Sequence, residues 1–454
     1  MDILNIIGVL GLVLGLATLI FLGFRGWGMV PTSIVAAFVV IITNRMDVWE
    51  AISVHYAEYM RNYAGNYLTL FFLGTLFGTL MGKSGAAKSI ACKIVDLLGV
   101  KHALLVVVVI SAVLSYGGVS LFVIVFTIYP IALVLFKEGN VSKRLFPAAL
   151  FLGCATFTMV GLPGTPAIQN IMPTDVLGTT AYAAPFNGII VSVVVFALGM
   201  VWLTWNDGRL KAAGIGFVPG PKDNPDAVDI SDRRGLPSFG LALFPMLFVI
   251  VFIFVLSNYS EAIFGKELHT NYIVNLALAF GCALTWLLFR KKIKDIKAGV
   301  NESATNSLIA LMNTAVITGF GGVVQGSVGF DVVVDFALSL NMSPLISACL
   351  ATGIVAAACG SCSGGLSVFL AALGPQYAQL CQAEGIPLDV LHRSICWAGA
   401  GLDSLPHSGG YVTAIIHTDL TPKETYPYFF VTNIVLTTFG CVLTIALFML
   451  FGIV

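Results

Sequence analysis

Gly117-Gly118-Val119-Ser120-Leu121-Phe122-Val123 returns later in the chain as Gly364-Gly365-Leu366-Ser367-Val368-Phe369-Leu370, and both copies interrupt long apolar runs. Each is followed by a second echo, first Leu162-Pro163-Gly164-Thr165-Pro166 and then Leu405-Pro406-His407-Ser408-Gly409. The first pair lies 247 positions apart and the second 243, so the chain reads as two halves with one plan. Hydrophobic segments broken by Gly and Pro at corresponding places in two halves point to the binding site of a secondary transporter.

The surroundings of these strings set the class. Of the 454 residues 58% are hydrophobic and 10% charged, with mean hydropathy +0.95, whereas a soluble domain carries about 25% charged residues. Many stretches run for about 18 residues or more with almost no charge, enough to cross a bilayer as helices. An all-α polytopic membrane protein is expected. Ile3 to Phe24 reads as its first spanning helix, because it lacks the basic start and the small-residue cleavage site of a signal peptide. Net charge is zero, so no bulk charge argues for a nucleic-acid partner, and none is expected.

Nine cysteines scatter through apolar runs, and only Cys359 and Cys362 form a CxxC. No second pair or histidines stand at ligand spacing, so no metal site is expected. The glycine-rich Gly319–Gly329 lacks the Gly-Lys-Ser/Thr ending of a phosphate loop. No cofactor and no ATP drive are expected.

Lys and Arg set the orientation. The polar stretch 206–238, with basic residues at 209, 211, 222, 233 and 234, reads as a cytoplasmic linker between a first repeat at 1–205 and a second at 239–454. Gly82 to His102 carries four lysines, whereas the corresponding Phe330 to Pro344 carries no Lys or Arg and holds Asp331 and Asp335. Equivalent loops of opposite charge character predict two inverted repeats. Each repeat is expected to have about five transmembrane helices plus one re-entrant hairpin and a broken helix, with both chain ends outside. Ala51–Tyr63 is expected to lie at the interface.

The hairpins are placed at 102–136 and 345–379. Each arm has about 15 helical residues, about 22 Å, short of the roughly 30 Å apolar core. The first hairpin is flanked by Lys101, Lys137, Lys143 and Arg144 and should enter from the cytoplasm. The second has no such flanks and should enter from outside. The broken helices are placed at 145–182 and 391–416.

Broken backbone inside a membrane persists only where it lines a cavity or contacts a ligand. Each break exposes a helix N-terminus with free N–H groups, which suits a carboxylate. The candidate substrate-binding residues are therefore Gly117, Gly118, Val119, Ser120, Pro163, Gly164, Thr165, Ser363, Gly364, Gly365, Ser367, Pro406, His407 and Ser408. Asp403 is the carboxylate placed deepest in a predicted crossing, and His407 follows four residues later. At the 243-residue offset they face Val160 and Gly164. An ionisable pair present in one half only suggests an asymmetric task, so Asp403 and His407 are the ion-coupling candidates. Thr156, Thr158, Gln169, Asn170 and Ser361 are weaker cavity candidates, and Arg393 is expected to snorkel near a helix end.

Gly117-Gly118-Val119-Ser120, the string Thr158–Asn170 (TMVGLPGTPAIQN) and Pro173-Thr174 resemble the gluconate permease (gluconate:proton symporter, GntP-type) family, within the ion-transporter superfamily of organic-anion carriers. The resemblance implies a multi-pass inner-membrane symporter, not an enzyme, that imports a small hydroxy-carboxylate with protons. It also implies a homodimer and elevator-like movement of a transport domain against a scaffold. The string DSLPHSGG at Asp403–Gly410 departs from the family's His-x-Asn-Asp type, which leaves gluconate, 3-hydroxybutyrate and lactate as alternatives. The rival readings are a sodium-coupled organic-anion symporter and a sodium/proton antiporter.

Overall fold

The computed structural model describes every residue except 1, 2, 26, 120, 222, 224–233, 267, 331, 333–341, 407 and 417. The described residues form helices and connections. In the first half these are α1 (Ile3–Phe24), α2 (Met29–Thr43), α3 (Val48–Lys83), α4 (Ala86–Leu98), α5 (Ala103–Tyr116), α6 (Leu121–Glu138), α7 (Lys143–Gly161), α8 (Ile168–Leu177) and α9 (Pro185–Ala212). The second half has α10 (Phe239–Phe264), α11 (Thr270–Phe289), α12 (Ile296–Gln325), α13 (Pro344–Cys359), α14 (Cys362–Ala372), α15 (Gly374–Ala383), α16 (Leu388–Leu402), α17 (Gly409–Ile416) and α18 (Pro422–Phe451). Seven of the described helices are long and apolar enough to cross a membrane: α3, α7, α9, α10, α11, α12 and α18. Large apolar side chains such as Phe186, Val201 and Leu450 stay exposed on their outer faces, as expected where lipid replaces water.

Packing repeats between the halves with partners exchanged. Helix α2 lies on α12, and α11 lies on α3. Helix α5 packs on α7 as α13 packs on α16, while α8 meets α14 as α17 meets α6. The two helices that correspond in order, α3 and α12, lie side by side and antiparallel. Lys83 at the end of α3 pairs with Glu302 near the start of α12 at 2.9 Å. At the other end, a methyl added at Gly322 would lie 2.5 Å from the His55 carbonyl. Helices α9 and α18 are also antiparallel, with Asn187 Nδ2 donating to the Thr444 carbonyl and Trp202 Nε1 to the Tyr428 carbonyl.

Three local readings differ from the sequence expectation. Ala51–Tyr63 is not a separate interfacial segment but the opening of α3, because Gly319 and Gly322 of α12 give Tyr56 and Tyr59 room to pack. The basic stretch 82–102 contains a true helix, α4. It buries Ala86, Ala87, Ile90, Ala91, Ile94 and Val95 along one face, the stripe an amphipathic helix presents. It meets the following helical segment at 106°. The acidic counterpart, with Asp331 and Asp335, lies outside the described residues. The polar linker begins later than expected, since α9 continues to Ala212.

Candidate functional site

Helices α5 and α6 form the first hairpin. Their outer ends meet where a methyl on Gly139 would lie 3.5 Å from the Ala103 Cβ. Their inner ends turn at Gly117-Gly118-Val119. Gly118 adopts φ +91°, a conformation costly for any residue with a Cβ, and Val119 N–H closes the turn on the Leu114 carbonyl at 3.0 Å. The turn packs on the first break, since a methyl on Gly118 would lie 3.1 Å from Pro166 Cγ. The Tyr116 hydroxyl donates to the Pro163 carbonyl at 2.8 Å, and the Ser115 hydroxyl to the Cys154 carbonyl at 2.8 Å. Ser120 lies outside the described residues.

The first break follows a π-helical turn, Phe157–Gly161, a distortion frequent at functional sites. Gly164 has φ +81° and its N–H reaches across to the Ala181 carbonyl at 2.8 Å. Asn170 Nδ2 holds the Thr165 and Ala181 carbonyls, while Thr165 Oγ1 accepts from the Ala167 N–H. Thr156 and Thr158 turn inward on their own helix, donating to the Leu152 and Gly153 carbonyls. The freed oxygens of this break meet Arg393. Its guanidinium donates to the Val160 carbonyl at 2.7 Å, the Asn170 side-chain oxygen at 3.0 Å and the Ala183 carbonyl at 2.8 Å. Arg393 does not snorkel: it is fully buried. Carbonyls orphaned by a broken helix need donors in an apolar medium, and a planar guanidinium supplies several at fixed spacing. Sequence alone missed this role because it depends on α16 lying against the break.

In the second hairpin the chain turns at Gly360, which has φ +58°. Ser361 caps α14, its hydroxyl accepting from the Gly364 N–H at 3.2 Å and lying 3.1 Å from the Ser363 hydroxyl. The positions expected at the tip are thus displaced: Gly364 and Gly365 lie inside the first turns of α14. Gly365 is a crossing point, where an added methyl would lie 2.4 Å from the Ala356 Cα. The Ser367 hydroxyl donates to the Gly364 carbonyl and lies 2.8 Å from the Thr318 hydroxyl on α12. Gly118 and Gly360 make the two positive-φ hairpin turns, 242 positions apart, close to the 243 of the Leu-Pro echo. The Gly-Gly-x-Ser echo, at 247, runs four residues out of the Leu-Pro register.

The second break, Asp403 to Ser408, opens on a carboxylate. Asp403 Oδ2 accepts from the Cys362 N–H at the start of α14, at 3.0 Å, and Oδ1 accepts from the Ser404 hydroxyl at 2.7 Å. Ser408 is buried, with its N–H on the Leu405 carbonyl. The Tyr426 hydroxyl donates to the Ser404 carbonyl at 3.2 Å. Pro406 lines an open groove of about 390 Å³ with Pro422, Lys423, Tyr426 and Pro427. His407 lies outside the described residues.

The two breaks are joined. A methyl on Gly410 would lie 3.0 Å from Leu121, beside the first turn, and the Cys396 thiol reaches the Gln169 carbonyl at 3.2 Å. Trp397 of α16 lies between two glycines. Added methyls on Gly161 and Gly440 would stand 2.5 Å from Cζ2 and 2.9 Å from Cε3 of its indole.

Comparison with known proteins shows the family and the fold. The model of the GntP family permeases matches residues 4–451. The transporter YxjC of Bacillus subtilis is 34% identical over 468 residues, covering 98% of this chain and 99% of the relative. A high-affinity gluconate transporter of Escherichia coli is 26% identical over 377 residues, 79% of each chain. Among solved structures, the YdaH transporter of Alcanivorax borkumensis superposes with TM-score 0.54 at 13% identity, covering 88% of both chains. MtrF of Neisseria gonorrhoeae gives TM-score 0.54 at 16% identity, covering 88% of this chain and 83% of its own. At such identities these two speak for the fold alone.

Proposed function

The chain belongs to the GntP permease family, a multi-pass membrane transporter and not an enzyme, and on that premise we propose that it imports a small hydroxy-monocarboxylate together with protons. Gluconate, 3-hydroxybutyrate and lactate are the candidate substrates; the gluconate transporter of Escherichia coli is a relative along 79% of its length. The observation that carries the reading is the pairing of each hairpin turn with a broken helix, Gly118 on Pro166 and Cys362 on Asp403. These breaks bring hydroxyls, backbone N–H groups and one carboxylate together inside an apolar body.

Two features support the finer parts of the proposal. Corresponding helices that run antiparallel, α3 with α12 and α9 with α18, are what inverted repeats produce, and they favour alternating access. The hairpins and broken helices then form the moving body and α3, α10, α11 and α12 the frame, in an elevator-like cycle within a homodimer. Proton coupling is favoured over sodium at the first break because a cation there would meet the charge of Arg393, whose donors already hold the Val160 carbonyl. Asp403 is the proposed proton carrier.

The experiment is uptake of labelled gluconate, 3-hydroxybutyrate and lactate into proteoliposomes, under a pH gradient and a sodium gradient in turn. Accumulation of one of them under the pH gradient alone is expected. Accumulation under the sodium gradient alone replaces protons with sodium, and no uptake of any carboxylate under either gradient overturns the proposal.

A further inference from the structure

Residues 178–184 connect α8 to α9 and are pinned along their length against the first break. The Thr179 hydroxyl lies 2.7 Å from His392 Nδ1. The Ala181 carbonyl accepts from the Gly164 N–H at 2.8 Å and from Asn170 Nδ2 at 2.9 Å. The Ala183 carbonyl accepts from Arg393 at 2.8 Å, and Ala184 turns the chain into α9 with φ +45°. Ala181, Ala183 and Ala184 are all buried. Tyr182 stands between these fixed points, and its own N–H closes on Thr180 Oγ1 at 3.1 Å.

The Tyr182 side chain is half-buried and lies over the break itself. A methyl on Gly164 would stand 2.6 Å from Tyr182 Cε1 and 2.9 Å from the phenol oxygen. Gly164 is thus required twice, by its φ of +81° and by the ring that takes the place of a side chain. The ring also meets Phe254 of α10 edge to face, with centroids 5.6 Å apart at 82°. Around the same break the hydroxyls of Ser115, Tyr116, Thr156 and Thr158 all donate to carbonyls. The Tyr182 hydroxyl has no hydrogen-bond partner among the described residues. A polar group on a rigid support with its own bonding capacity unused is a preorganised ligand contact.

The chemistry of the contact favours a neutral oxygen. A phenol both donates and accepts, as an alcohol does. The terminal nitrogens of the Arg393 guanidinium are committed to Val160, Asn170 and Ala183, which leaves Tyr182 to read an uncharged group. We propose that Tyr182 binds the substrate hydroxyl on the α or β carbon and sets the preference for hydroxy acids over plain ones. The proposal rests on the carboxylate reading given above.

The test is made in proteoliposomes with whichever of gluconate, 3-hydroxybutyrate and lactate the wild-type protein accumulates. The competitor is its analogue without that hydroxyl: 2- or 3-deoxygluconate, butyrate or propionate. Wild-type protein is expected to bind the analogue about ten-fold more weakly than the substrate, the worth of one hydrogen bond. Tyr182→Phe keeps the ring on Gly164 and Phe254. It is expected to raise the substrate KM about ten-fold while the maximal rate, the inhibition constant of the analogue and the detergent melting temperature stay as they were. Tyr182→Leu removes the ring as well, and is expected to lower the melting temperature and weaken substrate and analogue alike. An unchanged KM in Tyr182→Phe, an equal loss for substrate and analogue in that variant, or a wild-type protein that does not discriminate leaves Tyr182 a packing residue and overturns the proposal alone. A wild-type protein that takes up no carboxylate overturns the substrate reading and this contact with it.

Discussion

The two breaks solve one problem with opposite charges. At the first, the freed groups are carbonyl oxygens, and a cation from the other half, Arg393, binds them. At the second, the break itself supplies the charge: Asp403, an anion from the same half, takes the Cys362 N–H at the start of α14, in the adjoining hairpin turn. A broken helix leaves both kinds of group exposed in an apolar medium. The oxygens of the first break are covered by a guanidinium, whereas the second break offers a carboxylate to the adjoining hairpin turn. On the proposed reading the first break is a fixed strut and the second is the one that responds to ions.

That contrast is open to attack, most severely at Arg393. Arg393→Met leaves two carbonyls and the Asn170 oxygen without donors, at about 1–3 kcal/mol each. Loss of uptake and a marked drop in the detergent melting temperature are expected, and a stable, active variant would show that the first break needs no strut. Next is Asp403→Asn. It keeps an oxygen for the Cys362 N–H but removes the titratable group, so accumulation driven by a pH gradient is expected to vanish while substrate exchange continues. Accumulation that survives separates Asp403 from coupling.

Gly365→Val comes third. Its side chain would push on the Ala356 backbone, and overpacking of this kind costs about 1–3 kcal/mol. The second hairpin is expected to splay, with uptake reduced several-fold and melting lowered. The smallest effect belongs to Gly118→Ala and Gly360→Ala. Both glycines have positive φ, a strain of about 1 kcal/mol for alanine. Similar modest losses of uptake from the two variants support the correspondence of the turns; a loss at one alone would restrict the substrate contact to that hairpin.

The sequence was informative where backbone chemistry is local. Leu162–Pro166 and Leu405–Gly409 are breaks because proline and glycine fall together there, one removing a helix N–H and the other weakening helix preference, and Gly117-Gly118 is a turn because the apolar runs on both sides are too short to span. The echo at Gly364-Gly365 misled for a physical reason: glycine serves a tight turn and a close helix crossing equally well, and its neighbours do not say which. The equivalent turn, Cys359-Gly360-Ser361-Cys362, shares little with its counterpart beyond one glycine. Arg393 was illegible because its worth depends on which carbonyls α16 approaches. The ion pair of Lys143 and Asp223 was hidden because 80 residues and three helices, α7, α8 and α9, separate its members.

The placement of Trp397 between Gly161 and Gly440 gives the protein a built-in optical probe. The indole is fully buried and touches the last residue of the π-helical turn, so its fluorescence reports on the geometry of the first break without any attached dye. In a variant that keeps Trp397 and replaces the other five tryptophans with phenylalanine, the emission maximum should lie well to the blue. A rigid strut keeps it there as substrate is titrated, whereas a red shift on adding gluconate or lactate would mean that the first break moves as well.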